Sequence, residues 1–173
     1  SILFFTFAAI IFVCALEWKL KGTTGLPAVF LTLCGLGVAI YDFGYAMEIH
    51  ASTLEAVFFW VRFEHWGIQF IPPLWLMFTF SIMGIWKKAP PLQVALLLML
   101  PAVSLACSQT LGGLNLLHPN ARLAAGEVLS LFAYDRGWPI YLSTGLLSIF
   151  LVVSFAMFTS GLVRGGPVPR AQT

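Results

Sequence analysis

Apolar residues in this chain come in long runs rather than in stripes. Residues 1–16 are uncharged until Glu17, Lys19 and Lys21 close the run. A second run extends from about Gly25 to Met47 with Asp42 as its only charge, and a third is uncharged from Trp66 to Trp86. A fourth goes from Pro90 to about Thr110 and a fifth from Trp138 to Val163. Crossing about 30 Å of hydrocarbon takes roughly 20 helical residues. The pattern therefore predicts an all-α polytopic membrane bundle of about five transmembrane helices, near residues 1–17, 25–48, 53–86, 90–110 and 138–163. These form a single unit over 1–163, with an outer loop at 111–137 and a cytoplasmic tail or linker at 164–173.

The third helix has its own punctuation. Ser52-Thr53-Leu54-Glu55 reads as a capping box in which Ser52 caps the helix and Glu55 reaches back, so the helix is expected to begin near Thr53. Continued to Trp86 it would be roughly 50 Å long, more than the hydrocarbon thickness, so its first turns should tilt or lie in the interface. Pro72 and Pro73 fall in its middle, where missing N–H groups and ring clashes predict a hinge. Pro101 interrupts the fourth run, and the apolar stretch from Val128 to Tyr134 in the outer loop is too short to span and reads as an interfacial segment.

Composition agrees with this pattern. Hydrophobic residues make up 60% of the 173, and only 9% are charged. A water-facing domain carries about 25% charged residues, so a soluble enzyme is excluded. A formal charge of +2 with scattered basic residues gives no surface for nucleic acid. Cys14, Cys34 and Cys107 lie singly inside apolar runs, and neither a disulfide nor a metal is expected from them. The first run has no basic leader and no small-residue cleavage site, so it reads as a first span whose start is missing rather than a signal peptide.

Charge placement sets the orientation. The segments after spans one, three and five hold Lys19, Lys21, Lys87, Lys88, Arg164 and Arg170 against the single acid Glu17. Cytoplasmic loops are enriched in Lys and Arg, which puts the N-terminus outside and the C-terminus inside. Tyr41, Tyr45, Trp60, Trp66, Trp86, Trp138 and Tyr141 lie near the span boundaries, where interfacial anchors belong. The reading is a multi-pass protein of the bacterial inner membrane.

An ionisable group inside a span is costly and is by default a functional candidate. Asp42 is such a group, on a different helix face from Tyr41, Tyr45 and Glu48, which follow at i, i+4 and i+7. On the third helix Arg62, His65 and Gln69 share a stripe with Glu64 beside them, and the short connection around Ile49 to Ser52 makes the two helices antiparallel neighbours. Two readings stay open. Asp42, Tyr45, Glu48, Arg62, Glu64, His65 and Gln69 build a polar pocket on the outer side for a small polar or amphiphilic ligand, or Asp42 and Arg62 are a pair that fixes helix packing.

No catalytic motif is present: the chain lacks a nucleophile elbow, a phosphate-binding loop, a kinase signature and a lysine in a late span that could hold retinal. His50 and His65 lie on different helices but at the outer boundary rather than within the apolar runs, which argues against haem. Glu48, His50, Glu64 and His65 lack the spacing of a zinc site. No cofactor is expected.

Several blocks resemble a known family. They are Tyr41-Asp42-Phe43-Gly44-Tyr45-Ala46-Met47-Glu48, then Ser52-Thr53-Leu54-Glu55-Ala56 with Phe59-Trp60-Val61-Arg62-Phe63-Glu64-His65-Trp66-Gly67-Ile68, and most specifically Ile71-Pro72-Pro73-Leu74-Trp75-Leu76-Met77-Phe78. Asn115-Leu116-Leu117-His118 and Gly137-Trp138-Pro139-Ile140-Tyr141 continue the likeness. Over about residues 1–163 the chain resembles the first five helices of the N-terminal seven-helix sensor region of bacterial sensor histidine kinases. The resemblance implies a sensing bundle that passes a conformational change to a cytoplasmic output domain, and it assigns no ligand residues. It also implies two further helices and an output domain beyond Thr173, unless the family fold is reused as a small subunit.

Two functions follow from the sequence. One is a membrane-embedded sensory input domain whose bundle changes shape at Pro72-Pro73 when a small ligand binds. The other is a non-catalytic accessory subunit of a larger, pigment- or redox-containing membrane complex, favoured by 16 phenylalanines and by the small residues Gly35, Gly37 and Gly44. Expected partners are the lipid bilayer and other membrane helices, whether the chain's own continuation, a second copy or a larger complex.

Overall fold

The computed structural model describes residues 25–110, 112, 117–120, 122–124, 131–133, 135 and 137–163. The expected first span, the tail at 164–173 and most of the loop at 111–137 lie outside the described residues. Five helices and one short ribbon are described: α1 (Leu26–Ile49), α2 (Leu54–Ile68), α3 (Ile71–Ile82), α4 (Pro91–Ser108), β1 (Arg122–Ala124), β2 (Leu131–Ala133) and α5 (Trp138–Val163). α1, α4 and α5 are each long and apolar enough to cross a membrane, and the assembly is a membrane helical bundle.

Helix starts follow local chemistry. α1 and α4 have proline in the first turn, where a missing N–H costs nothing because that N–H has no intrahelical partner. α2 is capped by Thr53, whose hydroxyl oxygen accepts from the Ala56 N–H at 3.2 Å. This corrects the expectation that Ser52 caps the helix. With Thr53 as the cap the third helical position is Ala56, so Glu55 cannot close the box and instead stands as an acid in the first turn, where the helix dipole favours it.

The long third helix is two helices. Gln69 (φ −68°, ψ −29°) and Phe70 (φ −92°, ψ −17°) remain in the right-handed region, so the rod continues, but its hydrogen-bond ladder does not. Pro72 and Pro73 have no N–H to return to Ile68 and Gln69, and Phe70 bonds Gly67 in a tighter turn at 3.1 Å. The helix also stops at Ile82 rather than Trp86. Gly84, with φ 73°, takes the left-handed position of a C-terminal cap in which Gly84 N–H reaches Ser81 O and Ile85 N–H reaches Phe80 O. That turn sends Trp86 back into the bundle. Trp86 is therefore a core residue, buried against Phe30 and Phe80, and not the interfacial anchor its sequence position suggests.

α1 packs along both α2 and α3, and α3 in turn packs on α5. One core cluster joins Phe30, Cys34, Leu74, Met77 and Trp86 at one end of α1, and the Cys34 thiol donates to Ile71 O at 3.8 Å. Toward the other end Phe43 meets Trp60 and Phe63 edge-on at 5.8 and 5.9 Å. Between them the α1 and α2 backbones nearly touch. A Cβ on Gly67 would strike the Gly37 carbonyl oxygen and lie 2.8 Å from the Tyr41 nitrogen, and one on Gly44 would lie 2.5 Å from Glu64 Cγ. Only glycine permits that approach.

The outward surfaces are apolar. Leu92, Met99 and Val103 on α4 and Tyr141, Ile149, Val152 and Phe155 on α5 are exposed, as expected of sides that meet lipid or other helices. Hydroxyls in the helices return to the backbone: Thr79 donates to Trp75 O, Ser81 to Met77 O and Ser154 to Phe150 O. Leu131–Ala133, inside the stretch read as interfacial, pairs antiparallel with Arg122–Ala124.

Gly67→Ala is expected to lower stability by about 1–3 kcal/mol through backbone overlap, more than the roughly 1 kcal/mol that alanine adds as a better helix former. Gly145→Ala on α5, where an added Cβ meets nothing within 4 Å, should leave stability unchanged or raise it slightly. Thermal unfolding of the purified protein in detergent separates the two.

Candidate functional site

The C-terminal half of α1, the second half of α2 and the start of α5 enclose a cavity of about 380 Å³. Its polar lining is Tyr41, Tyr45 and Glu48 from α1, Glu64, His65 and Gln69 from α2 and the turn after it, His118, and Ser143 and Thr144 from α5. Ile49, Val61, Ile68, Leu117 and Ile140 supply apolar wall. Since α1 runs toward the cavity and α2–α3 runs away from it, the cavity lies at the opposite end of the bundle from Lys87 and Lys88.

The centre of the site is a carboxyl pair. Glu48 and Glu64 reach each other from neighbouring helices and share a hydrogen bond. A hydrogen bond between two carboxyls needs a proton on one of them. Glu64 is only 7% exposed, because the absent side chain of Gly44 lets its stem lie on α1. Its Oε1 is buried without a hydrogen-bond partner, as is Gln69 Oε1.

Histidines form the facing wall. The Nδ1 of His65 donates to Val61 O at 2.7 Å, which leaves Nε2 as the lone-pair nitrogen of the neutral ring. His118 stands edge-on to it with ring centroids 6.1 Å apart. The chain segment that carries His118 is held by Gly137 N–H to Leu117 O at 2.9 Å, Asp135 N–H to Pro119 O at 3.0 Å and the Asn120 amide to Asp135 at 2.9 Å, with Asn120 at φ 56°. Burial, and then the nearby His65, push His118 down from the ordinary 6.5 to about 4.

The structure thus brings together Tyr45, Glu48, Glu64, His65 and Gln69. Asp42 and Arg62 are not on the lining, and Arg62 Nε is buried without a hydrogen-bond partner. Pro72 and Pro73 stand just past Gln69, so the break in the helix begins at the cavity wall. His50 is exposed and bonds Ala46 O at 2.7 Å, away from the cavity. Among the described residues no three His, Cys, Asp or Glu side chains converge as a metal would require. Sequence reasoning did not place Tyr41, His118, Ser143 or Thr144 in the pocket. Tyr41 was legible from its i, i+4 relation to Tyr45, and Ser143-Thr144 as a polar pair in an apolar span. His118 is distant in sequence and only the fold brings it in.

A model of the N-terminal 7TM region of histidine kinase matches residues 2–173. The chain belongs to that family, whose members supply the membrane-embedded sensory input of histidine kinases and are not themselves catalytic. No curated relative and no solved structure matches it.

Between about pH 4 and 6.5 the unfolded chain holds a proton on His118 that the folded protein does not. Stability is expected to rise with pH across that window and to be level in this respect above it. In His118→Gln that part of the slope should disappear. Unfolding curves at pH 4.5, 5.5 and 7 measure the difference.

Proposed function

We propose that the chain is a sensory input domain of the bacterial inner membrane, with its N-terminus outside and its C-terminus cytoplasmic, that binds a small molecule in this cavity and passes a helix rearrangement to a cytoplasmic kinase. The carrying observation is a buried, unpartnered carboxyl oxygen, Glu64 Oε1, at a cavity large enough for a small ligand. Lys87 and Lys88 at the other end of the bundle support the orientation, since basic residues favour the cytoplasmic side. A ligand shifts the balance of two helix arrangements only by binding one of them better. Gln69 lies on both the cavity wall and the break between α2 and α3, so contacts there differ between a straighter and a more bent rod.

The exposed apolar sides of α4 and α5 favour a second reading, an accessory subunit whose outer faces pack on other spans of a complex. An immunoblot of native membranes separates them: the sensor reading expects this segment within a longer polypeptide that also carries a kinase, the other a separate chain in fixed proportion to larger proteins.

In full-length protein in native membrane vesicles, Thr144→Trp, which fills the cavity, is expected to change autophosphorylation at least threefold, and Leu142→Trp on the exposed side to leave it unchanged. Equal output from both would remove the pocket from signalling. With Cys14, Cys34 and Cys107 replaced by alanine, a cysteine at Asn120 should react in intact cells with a membrane-impermeant maleimide and one at Lys88 should not; the reverse pattern would invert the topology.

A further inference from the structure

Part of the cavity wall is short of hydrogen-bond donors. Glu64 Oε1 and Gln69 Oε1 are acceptors buried without a donor, on side chains only 7% and 8% exposed. The neutral ring of His65 presents its Nε2 lone pair, because its Nδ1 proton is already given to Val61 O. The Ser143 hydroxyl has spent its proton on Ile140 O at 3.2 Å. Among the described residues neither lysine nor arginine lines the cavity, and its acidic groups are the paired carboxyls of Glu48 and Glu64. A buried acceptor left without a donor costs about 1–3 kcal/mol, so a ligand that supplies donors recovers more than one that brings further acceptors.

Two other features fit the same ligand. The rings of Tyr41 and Tyr45 stand parallel, 12° apart with centroids at 6.2 Å, and offer aromatic faces of the kind that attract cations. The apolar wall of Ile49, Val61, Ile68, Leu117 and Ile140 suits a hydrocarbon body. A bare metal ion finds no converging ligands among the described residues and has no use for that wall.

We infer that the cavity takes a protonated organic amine whose N–H groups donate to Glu64 and Gln69 and whose apolar part lies against the aliphatic wall. This rests on the pocket being the sensing site and names the class of ligand it reads. The amine belongs either to a free solute or to the headgroup of an aminophospholipid, which share this chemistry.

The test uses the purified protein in nanodiscs of phosphatidylglycerol alone, with 2-phenylethylammonium, phenylacetate, 2-phenylethanol and tetramethylammonium as probes, read by calorimetry and thermal shift. The amine should bind and raise the melting temperature, the acid and the alcohol should bind at least tenfold more weakly, and so should tetramethylammonium, which has no N–H. Glu64→Gln and Glu48→Gln should each weaken the amine at least tenfold, the second serving if the first fails to fold. If the amine gives no signal there, but phosphatidylethanolamine in the discs stabilises the wild type and not Glu48→Gln, the lipid headgroup is the source and the class stands. Equal or tighter binding of phenylacetate or phenylethanol, lost in Thr144→Trp, would overturn the amine and keep the pocket. No response to any probe or to phosphatidylethanolamine would overturn the amine, and unchanged output in Thr144→Trp would take the pocket reading with it.

Discussion

The near contact of two backbones at Gly37, Gly44 and Gly67 is the constraint on which the rest depends. In a hydrocarbon surround no hydrophobic drive separates helix from solvent, so helices associate through close van der Waals packing, and packing is closest where side chains are absent. Here the approach sets the spacing of α1 and α2 over several turns. The aromatic contacts of Phe43 with Trp60 and Phe63 fall into place at that spacing, and so does the core around Phe30 and Met77. So does the meeting of Glu48 with Glu64, which two helices held a few ångströms further apart would prevent.

That meeting turns a packing device into chemistry. Two carboxyls brought together away from water share a hydrogen bond that one alone could not make. On the far wall His65 is committed through Nδ1 to its own helix, and burial keeps His118 unprotonated at neutral pH. The outcome is a chamber built around a carboxyl pair at one end of a bundle whose other end carries Lys87 and Lys88.

Much of this could be read from the chain. Long uncharged runs announce membrane helices because the cost of burying charge in hydrocarbon leaves few alternatives, and the polar stripe of Glu64, His65 and Gln69 opposite Tyr45 and Glu48 follows from helical spacing and a short connection. The family was legible from the Ile71–Phe78 block and its neighbours, and the match over 2–173 shows it. What the sequence hid was set by register and by distance. The choice of Thr53 over Ser52 as cap turns on one residue of helical phase, and it moves Glu55 out of the box. Trp86 looked like an anchor because a positive φ at Gly84, which redirects it inward, leaves no trace in hydrophobicity. Asp42 drew attention as a charge in a span, yet its position one residue past Tyr41 carries it about 100° around the helix and off the cavity.

The break at Gln69 and Phe70 also has a mechanical side. α3 is a stiff arm of 12 residues, about 18 Å long, that begins where no hydrogen bond crosses from Ile68 or Gln69 to the prolines. A rotation of about five degrees at that point displaces the far end by about 1.5 Å. The fulcrum is set beside the chamber, and the tip of the arm, through the Gly84 turn, carries Trp86 and the two lysines behind it. Were the pocket to sense as proposed above, a small change of angle beside the chamber would reach Trp86 and Lys88 as a displacement of the far end of the arm.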